Sequence, residues 1–172
     1  MTMVRRIVRY VFLAAALVMP AGAANAQSLP GGDPNAIGNT VLISETGRTV
    51  RLSDYRGKVV FINFWGSWCA PCMLEMSSIR NLQAALADRR DSIVFLFVSA
   101  RPQEFATDTA WLRQHGVVGE NHRWSTAGTP RMSVPTTFVL GPNGAVAEFR
   151  NSAVDWSVHA DSIRRLLSPR SL

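Results

Sequence analysis

Residues 64–75 read Phe-Trp-Gly-Ser-Trp-Cys-Ala-Pro-Cys-Met-Leu-Glu, and they hold both cysteines of the chain, Cys69 and Cys72. The run before them, Val59 to Phe64, is too apolar to have a solvated face. It reads as a strand buried on both sides, the signature of a central parallel strand. From Pro71 the pattern turns helical. Cys72, Glu75, Met76, Ile79, Leu82 and Leu86 recur at steps of three and four residues and so share one helix face, with the helix ending near Arg90–Asp91. Cys69 thus falls just beyond the carboxyl end of a central strand, at the mouth of a helix, where open α/β sheets carry their sites.

Working outward, Val41–Ser44 and Thr49–Leu52 flank Glu-Thr-Gly-Arg as a hairpin with Gly47 at its turn, and 54–58 make a second turn. Ile93–Val98 is another buried strand, followed by a helix over Glu104–His115 that stops at Gly116. Residues 117–133 read as irregular, with a short strand near Arg123–Trp124. Thr136–Leu140 and Ala145–Arg150 bracket Gly-Pro-Asn-Gly as a second hairpin. A final amphipathic helix spans Asp155–Leu167, with Val158, Ile163, Leu166 and Leu167 as its apolar positions. This order predicts the α/β class: a central mixed sheet flanked by helices, on both faces, with an added N-terminal β-hairpin.

The first 26 residues read as a signal peptide. Arg5, Arg6 and Arg9 precede an apolar run from Tyr10 to Met19, and Ala24-Asn25-Ala26 offers a cleavage site. The run is about half of the roughly 20 residues that span a bilayer, so cleavage is preferred to an uncleaved anchor. The residues around the Arg5–Arg6 pair fit a twin-arginine signal poorly, which favours ordinary secretion. Residues 27–40 form a flexible leader rich in Gly, Pro and Asn, and 41–172 the domain. Removing residues 1–26 leaves 146, enough for one real core, and takes away three arginines, lowering the formal charge from +6 to +3. The remaining basic residues form no stripe with interleaved aromatics, so nucleic-acid binding is excluded.

Export implies an oxidising compartment, the periplasm, where disulfides persist. A Cys-x-x-Cys bridge closes too short a loop to constrain the unfolded state much, so a structural staple is a poor reading. A redox couple is a better one. Unpaired N–H groups and the dipole at a helix N-terminus favour a thiolate, and in such turns the first thiol's pKa falls from about 8.5 to roughly 3.5–7.5. Pro71 fits the first helical turn, where its missing N–H costs nothing. Cys69 is therefore the expected exposed nucleophile, and Cys72, one turn further in, the buried resolving thiol.

Trp68-Cys69-Ala70-Pro71-Cys72 at a strand–helix junction resembles the active site of the thioredoxin superfamily, and Pro135, directly before a strand, agrees with it. The resemblance implies a thioredoxin-like fold, a cis bond before Pro135, and substrate binding by the backbone of Val134. Trp68 is expected at the rim. Most of Val41–Leu167 is similar to the TlpA/ResA-type thiol-disulfide oxidoreductases of bacterial envelopes, generally reductants, several of which serve cytochrome c maturation or copper-site assembly. One departure is Met76-Ser77, where that family usually has a proline two residues after the glutamate. Glu75 shares the buried face of Cys72, and a carboxylate there can relay the thiol's proton. Ordinary thioredoxin has a buried Asp where this chain has Asn63, so Glu75 is the implied substitute. The candidate catalytic residues are then Cys69, Cys72 and Glu75, with Trp68, Val134 and Pro135 binding substrate.

No cofactor or resident metal is expected. The expected partners are disulfide-containing envelope proteins and an upstream membrane thiol reductase, with the chain itself a monomer. Two alternatives remain: a Cu(I) chaperone using the same two thiolates, and an oxidant or isomerase of the DsbA kind. Zinc would need about four ligands, and no second cysteine pair exists. A peroxiredoxin is disfavoured by the motif and by Pro135. His115, His122 and His159 are dispersed and read as surface or helix-end residues, Trp111, Trp124 and Trp156 as packing, and Met73 and Met76 as core.

Overall fold

The computed structural model describes residues 37, 40–125 and 133–167. The expected signal peptide, most of the leader, and residues 126–132 and 168–172 lie outside the described residues. Among the described residues, seven strands and three α-helices follow in the order β1 (Val41–Ser44), β2 (Thr49–Arg51), β3 (Val59–Trp65), α1 (Ala70–Ala85), β4 (Ile93–Ser99), α2 (Phe105–Gln114), β5 (Glu120–Trp124), β6 (Thr136–Leu140), β7 (Val146–Arg150) and α3 (Ala160–Leu167). Short 3₁₀ turns at Leu52–Tyr55, Ala87–Arg89, Pro102–Glu104 and Trp156–His159 join them.

All strands form one sheet in the order β2-β1-β5-β4-β3-β6-β7. β3, β4 and β5 are parallel neighbours, while β1 and β6 run against them, and β2 and β7 pair antiparallel with β1 and β6. β3 is an interior strand, between β4 and β6. Every one of its seven residues is buried, because β4 and β6 satisfy its backbone on both edges and apolar layers cover both faces.

The two layers divide by residue parity. Val59, Phe61 and Trp65 face Cys72, Met76, Ile79 and Leu82 of α1, together with Leu112 of α2, Trp156, and Ile163 of α3. Val60, Ile62 and Phe64 face Leu42, Val50, Leu52, Phe138 and Leu140, a layer without any α-helical residue among the described residues. Among the described residues all the α-helices lie on one face, where helices on both were expected. Two successive parallel steps, β3 to β4 and β4 to β5, move across the sheet in the same direction. Right-handed crossovers then put α1 and α2 on the same side.

Three further expectations are corrected. Residues 120–124 form a full strand that bridges β4 and β1. Their polar sequence hides this, since buried Asn121 and His122 find polar partners in place of apolar ones. α1 stops at Ala85, where the Leu86 amide bonds the Leu82 and Ala84 carbonyls and a 3₁₀ turn follows. Val158 is 74% exposed: residues 156–159 wind with three residues per turn, which brings Trp156 inward instead.

Candidate active site: a disulfide at a strand–helix junction

The carboxyl end of β3 feeds a tight loop, Gly66-Ser67-Trp68, into α1. The Cys69 amide bonds the Gly66 carbonyl at 3.0 Å, and Ala100 N–H bonds the Trp65 carbonyl at 2.8 Å, tying the loop to the end of β4. The Ser67 amide donates to Asp108 Oδ1 of α2 at 2.7 Å. A side chain at position 66 would meet the Trp68 indole, since a Cβ there would lie 2.3 Å from Nε1. The glycine thus leaves the room that the indole occupies.

Cys69 is the N-cap of α1, and its Sγ accepts the Cys72 amide at 3.2 Å. A sulfur so placed takes one of the orphan N–H groups of the helix start, and Pro71 removes another at no cost. The two cysteines form a disulfide with their Cα atoms 5.2 Å apart. The Val134 carbonyl oxygen lies 3.8 Å from Cys69 Sγ, and the bond from Val134 to buried Pro135 is cis. Residues 65 positions apart in sequence are so brought to one sulfur. Cys72 is fully buried and Cys69 is 5% exposed. Cys69 is therefore less open than expected, because it packs with the core cluster that Val134 borders. Trp68, at 42% exposure, forms the rim, with the Arg101 guanidinium 3.5 Å from its ring centroid.

Glu75 follows Cys72 on the buried face of α1 and is only 3% exposed. Trp156 Nε1–H donates to its Oε1 at 2.5 Å, while the Val154 amide and Asn63 Nδ2 reach its two oxygens at 3.4 Å each. Burial pushes the Glu75 carboxyl above its ordinary range, and the donors from Trp156, Val154 and Asn63 oppose that rise without cancelling it. A cleft of about 400 Å³, bordered by Leu74, Ser78, Val154 and Asp155, reaches Glu75 from the side of α1. Asn63 also donates to Thr137 Oγ1 at 2.8 Å, and its own Oδ1 lacks a hydrogen-bond partner.

Other assignments divide. Met76, Trp156 and the partly buried Met73, Trp111 and Trp124 are packing residues as expected. His115 stacks on Trp111 at the end of α2, and His159 sits 2.8 Å from Glu148. His122 departs from expectation. It is fully buried in β5, with Nδ1 2.8 Å from the Glu120 carbonyl, and burial pushes its pKa down. Among the described residues no three His, Cys, Asp or Glu side chains cluster as a metal site would require.

Two polar residues beside the site escaped the sequence reading. Asp108 is fully buried, and one of its oxygens, Oδ2, has no hydrogen-bond partner. Its signal was the one that marked Glu75, for it lies four residues before buried Leu112 on one face of α2. Asn121 links Trp65 Nε1 at 3.4 Å to Ser99 and Thr109 at 2.9 Å each, and nothing in a polar pentapeptide announces that role.

A Cys-x-x-Cys disulfide at a helix N-terminus, on the carboxyl edge of a mixed sheet, defines a thioredoxin-like protein-disulfide redox enzyme. A family model described as Redoxin matches residues 25–170. The thiol-disulfide oxidoreductase ResA of Geobacillus thermodenitrificans is 31% identical over 139 residues, covering 75% of this chain and 79% of that protein. ResA of Bacillus subtilis is 32% identical over 114 residues, 64% of this chain but 62% of the relative's length. Among solved structures, a secreted thiol-disulfide isomerase from Corynebacterium glutamicum superposes with a TM-score of 0.62 at 21% identity, over 74% of this chain and 83% of its own. A DsbF homologue from Corynebacterium diphtheriae gives 0.57 at 19%, over 87% and 97%; both likenesses concern the fold. The chain belongs to the Redoxin family and, within it, to the thiol-disulfide oxidoreductases of the ResA type.

Proposed function

We propose that this chain is exported to the periplasm, with residues 1–26 removed and 27–40 left as a leader. There it acts as a monomeric reductant of disulfides in envelope proteins such as apocytochrome c or copper-site proteins. The observation that carries the reading is the placement of Cys69 Sγ, capping α1 and 3.8 Å from the Val134 carbonyl, so that an extended partner chain pairing with Val134 brings its disulfide to that sulfur. No described helix is long and apolar enough to cross a membrane.

In the reduced enzyme the Cys69 thiolate attacks one sulfur of the partner's disulfide. That S–S bond breaks, and the departing sulfur leaves as a thiolate that takes a proton from water. Cys72 then gives its proton to Glu75, whose raised pKa suits it to receive one, and attacks Cys69 Sγ. The mixed disulfide breaks and the partner departs with two electrons, leaving the Cys69–Cys72 disulfide. Glu75 releases its proton through the cleft beside α1. A membrane thiol reductase restores the dithiol.

The test is trapping. Reduced Cys72→Ala, offered an oxidised envelope extract, should accumulate mixed disulfides through Cys69, while Cys69→Ala should accumulate none. Trapping through Cys72 instead would reverse the two roles. The potential should lie nearer the roughly −270 mV of thioredoxin than the roughly −120 mV of DsbA, and a value above about −180 mV would replace the reductant reading with an oxidant or isomerase.

A further inference from the structure

We propose that Arg101, stacked on Trp68, is a specificity-determining residue that favours partner disulfides flanked by carboxylates. The inference rests on the reading of Cys69 as the thiol that partners meet. Trp68 immediately precedes that cysteine, and its indole packs close against Gly66, which has no side chain to displace it. The Arg101 guanidinium lies over this ring, 3.5 Å from its centroid. Its backbone is placed by the end of β4, where the preceding Ala100 amide bonds Trp65 across to β3. The residue is therefore held just beyond the carboxyl ends of the neighbouring strands β3 and β4, the edge from which the loop to Cys69 departs.

Stacking orients the charge. A guanidinium lying on an aromatic face keeps its N–H edge free in the plane, and that edge matches a carboxylate with two parallel hydrogen bonds. None of the ion pairs among the described residues uses Arg101. The acidic residue nearest in the chain, Glu104, donates its backbone amide to the Arg101 carbonyl at 3.0 Å, and its carboxylate forms no ion pair with the guanidinium. The cation is left available to an incoming chain. A partner with Asp or Glu beside its reacting cysteine gains a charge-assisted contact, and one with Lys there meets a like charge.

The experiment uses short peptides, each dimerised through one central cysteine, with Asp, Asn or Lys on both sides of it. The rate at which the reduced protein attacks each peptide is divided by the rate for dithiothreitol, which corrects for the intrinsic reactivity of that disulfide. The native protein should prefer Asp over Asn by roughly two- to fivefold, the range of a solvent-exposed ion pair, and Asn over Lys. The preference should vanish in Arg101→Gln, invert in Arg101→Glu, and collapse in about 1 M salt, where screening acts within roughly 3 Å. Ratios within each variant cancel any change in the dithiol itself. Equal corrected rates for the three peptides, or a preference that survives Arg101→Gln, would overturn the assignment while leaving the reductase intact. Failure of the native protein to reduce any of the peptides would instead overturn the reductase reading, and this assignment with it.

Discussion

Trp156 Nε1 lies 2.5 Å from Glu75 Oε1, and the same indole packs edge-on against Phe61 with ring centroids 4.8 Å apart. One side chain thus fills the core under α1 and holds the carboxylate that follows Cys72. A buried carboxyl is costly unless donors meet it, and here the strongest donor comes from a residue 81 positions away.

Trp156→Phe keeps the aromatic packing and deletes that donor. The Glu75 carboxyl should then rise further above its ordinary range, since the hydrogen bond that opposed desolvation is gone. Unfolding in urea should show a loss of about 1–3 kcal/mol, and the pH profile of peptide-disulfide reduction should move to higher pH. In a Glu75→Gln background the same change should cost less, because the two residues act as a pair. Additive losses in the double variant would show that the carboxylate's charge adds nothing to this bond, whose oxygen acceptor glutamine keeps.

Glu75→Gln removes the ionisable carboxyl that shares the buried face of α1 with Cys72. The thiol pair of the reduced enzyme should titrate at lower pH, a shift that belongs to both sulfurs together, and partner reduction should slow because the proton acceptor is lost. The stability sign follows from the raised pKa. The folded chain keeps a proton that the unfolded chain has released just above the ordinary carboxylate range, so this group destabilises the fold as pH rises through that window. The Gln variant should lack that component. Thiol titration by ultraviolet absorbance, with chemical unfolding at several pH values, checks both; an unchanged thiol titration and unchanged rate would return Glu75 to a packing role.

Asp108 anchors the loop that presents Cys69 by accepting the Ser67 amide. Asp108→Ala leaves that amide without its partner and should lower stability by about 1–3 kcal/mol. The rate of Cys69 alkylation in the reduced protein should change as the loop loosens. Asp108→Asn keeps an acceptor oxygen and should recover most of both. Native alkylation kinetics in Asp108→Ala would show that the loop holds its shape without α2.

His122 should make the fold acid-sensitive. Burial lowers its pKa despite the opposing Glu120 and Glu45 carboxylates, so the unfolded chain binds a proton first as pH falls through about 6.5. Stability should therefore fall below that pH, by at most about 1.4 kcal/mol per unit, and level off beneath the folded-state pKa. Comparison with His122→Asn separates this from Glu75, whose contribution has the opposite sign. Equal pH dependence in the two proteins between pH 7 and 5 would remove His122 from the account.

The redox pair, the strand that ends beside it and the helix that starts at it were legible in the chain itself. Each is a local pattern: an apolar run, a step of three and four residues, a proline where a helix begins. Glu75 was legible for the same reason, since periodicity placed it on an apolar face. Tertiary structure alone decided what meets these groups. That Val134 comes to Cys69, Trp156 to Glu75 and Asp108 to Ser67 depends on contacts between residues 41 or more positions apart, to which no local pattern is sensitive. The same holds for β5. Its burial runs against its composition because Asn121 exchanges water for polar partners on β4 and α2, and those partners reach it only once the sheet has formed.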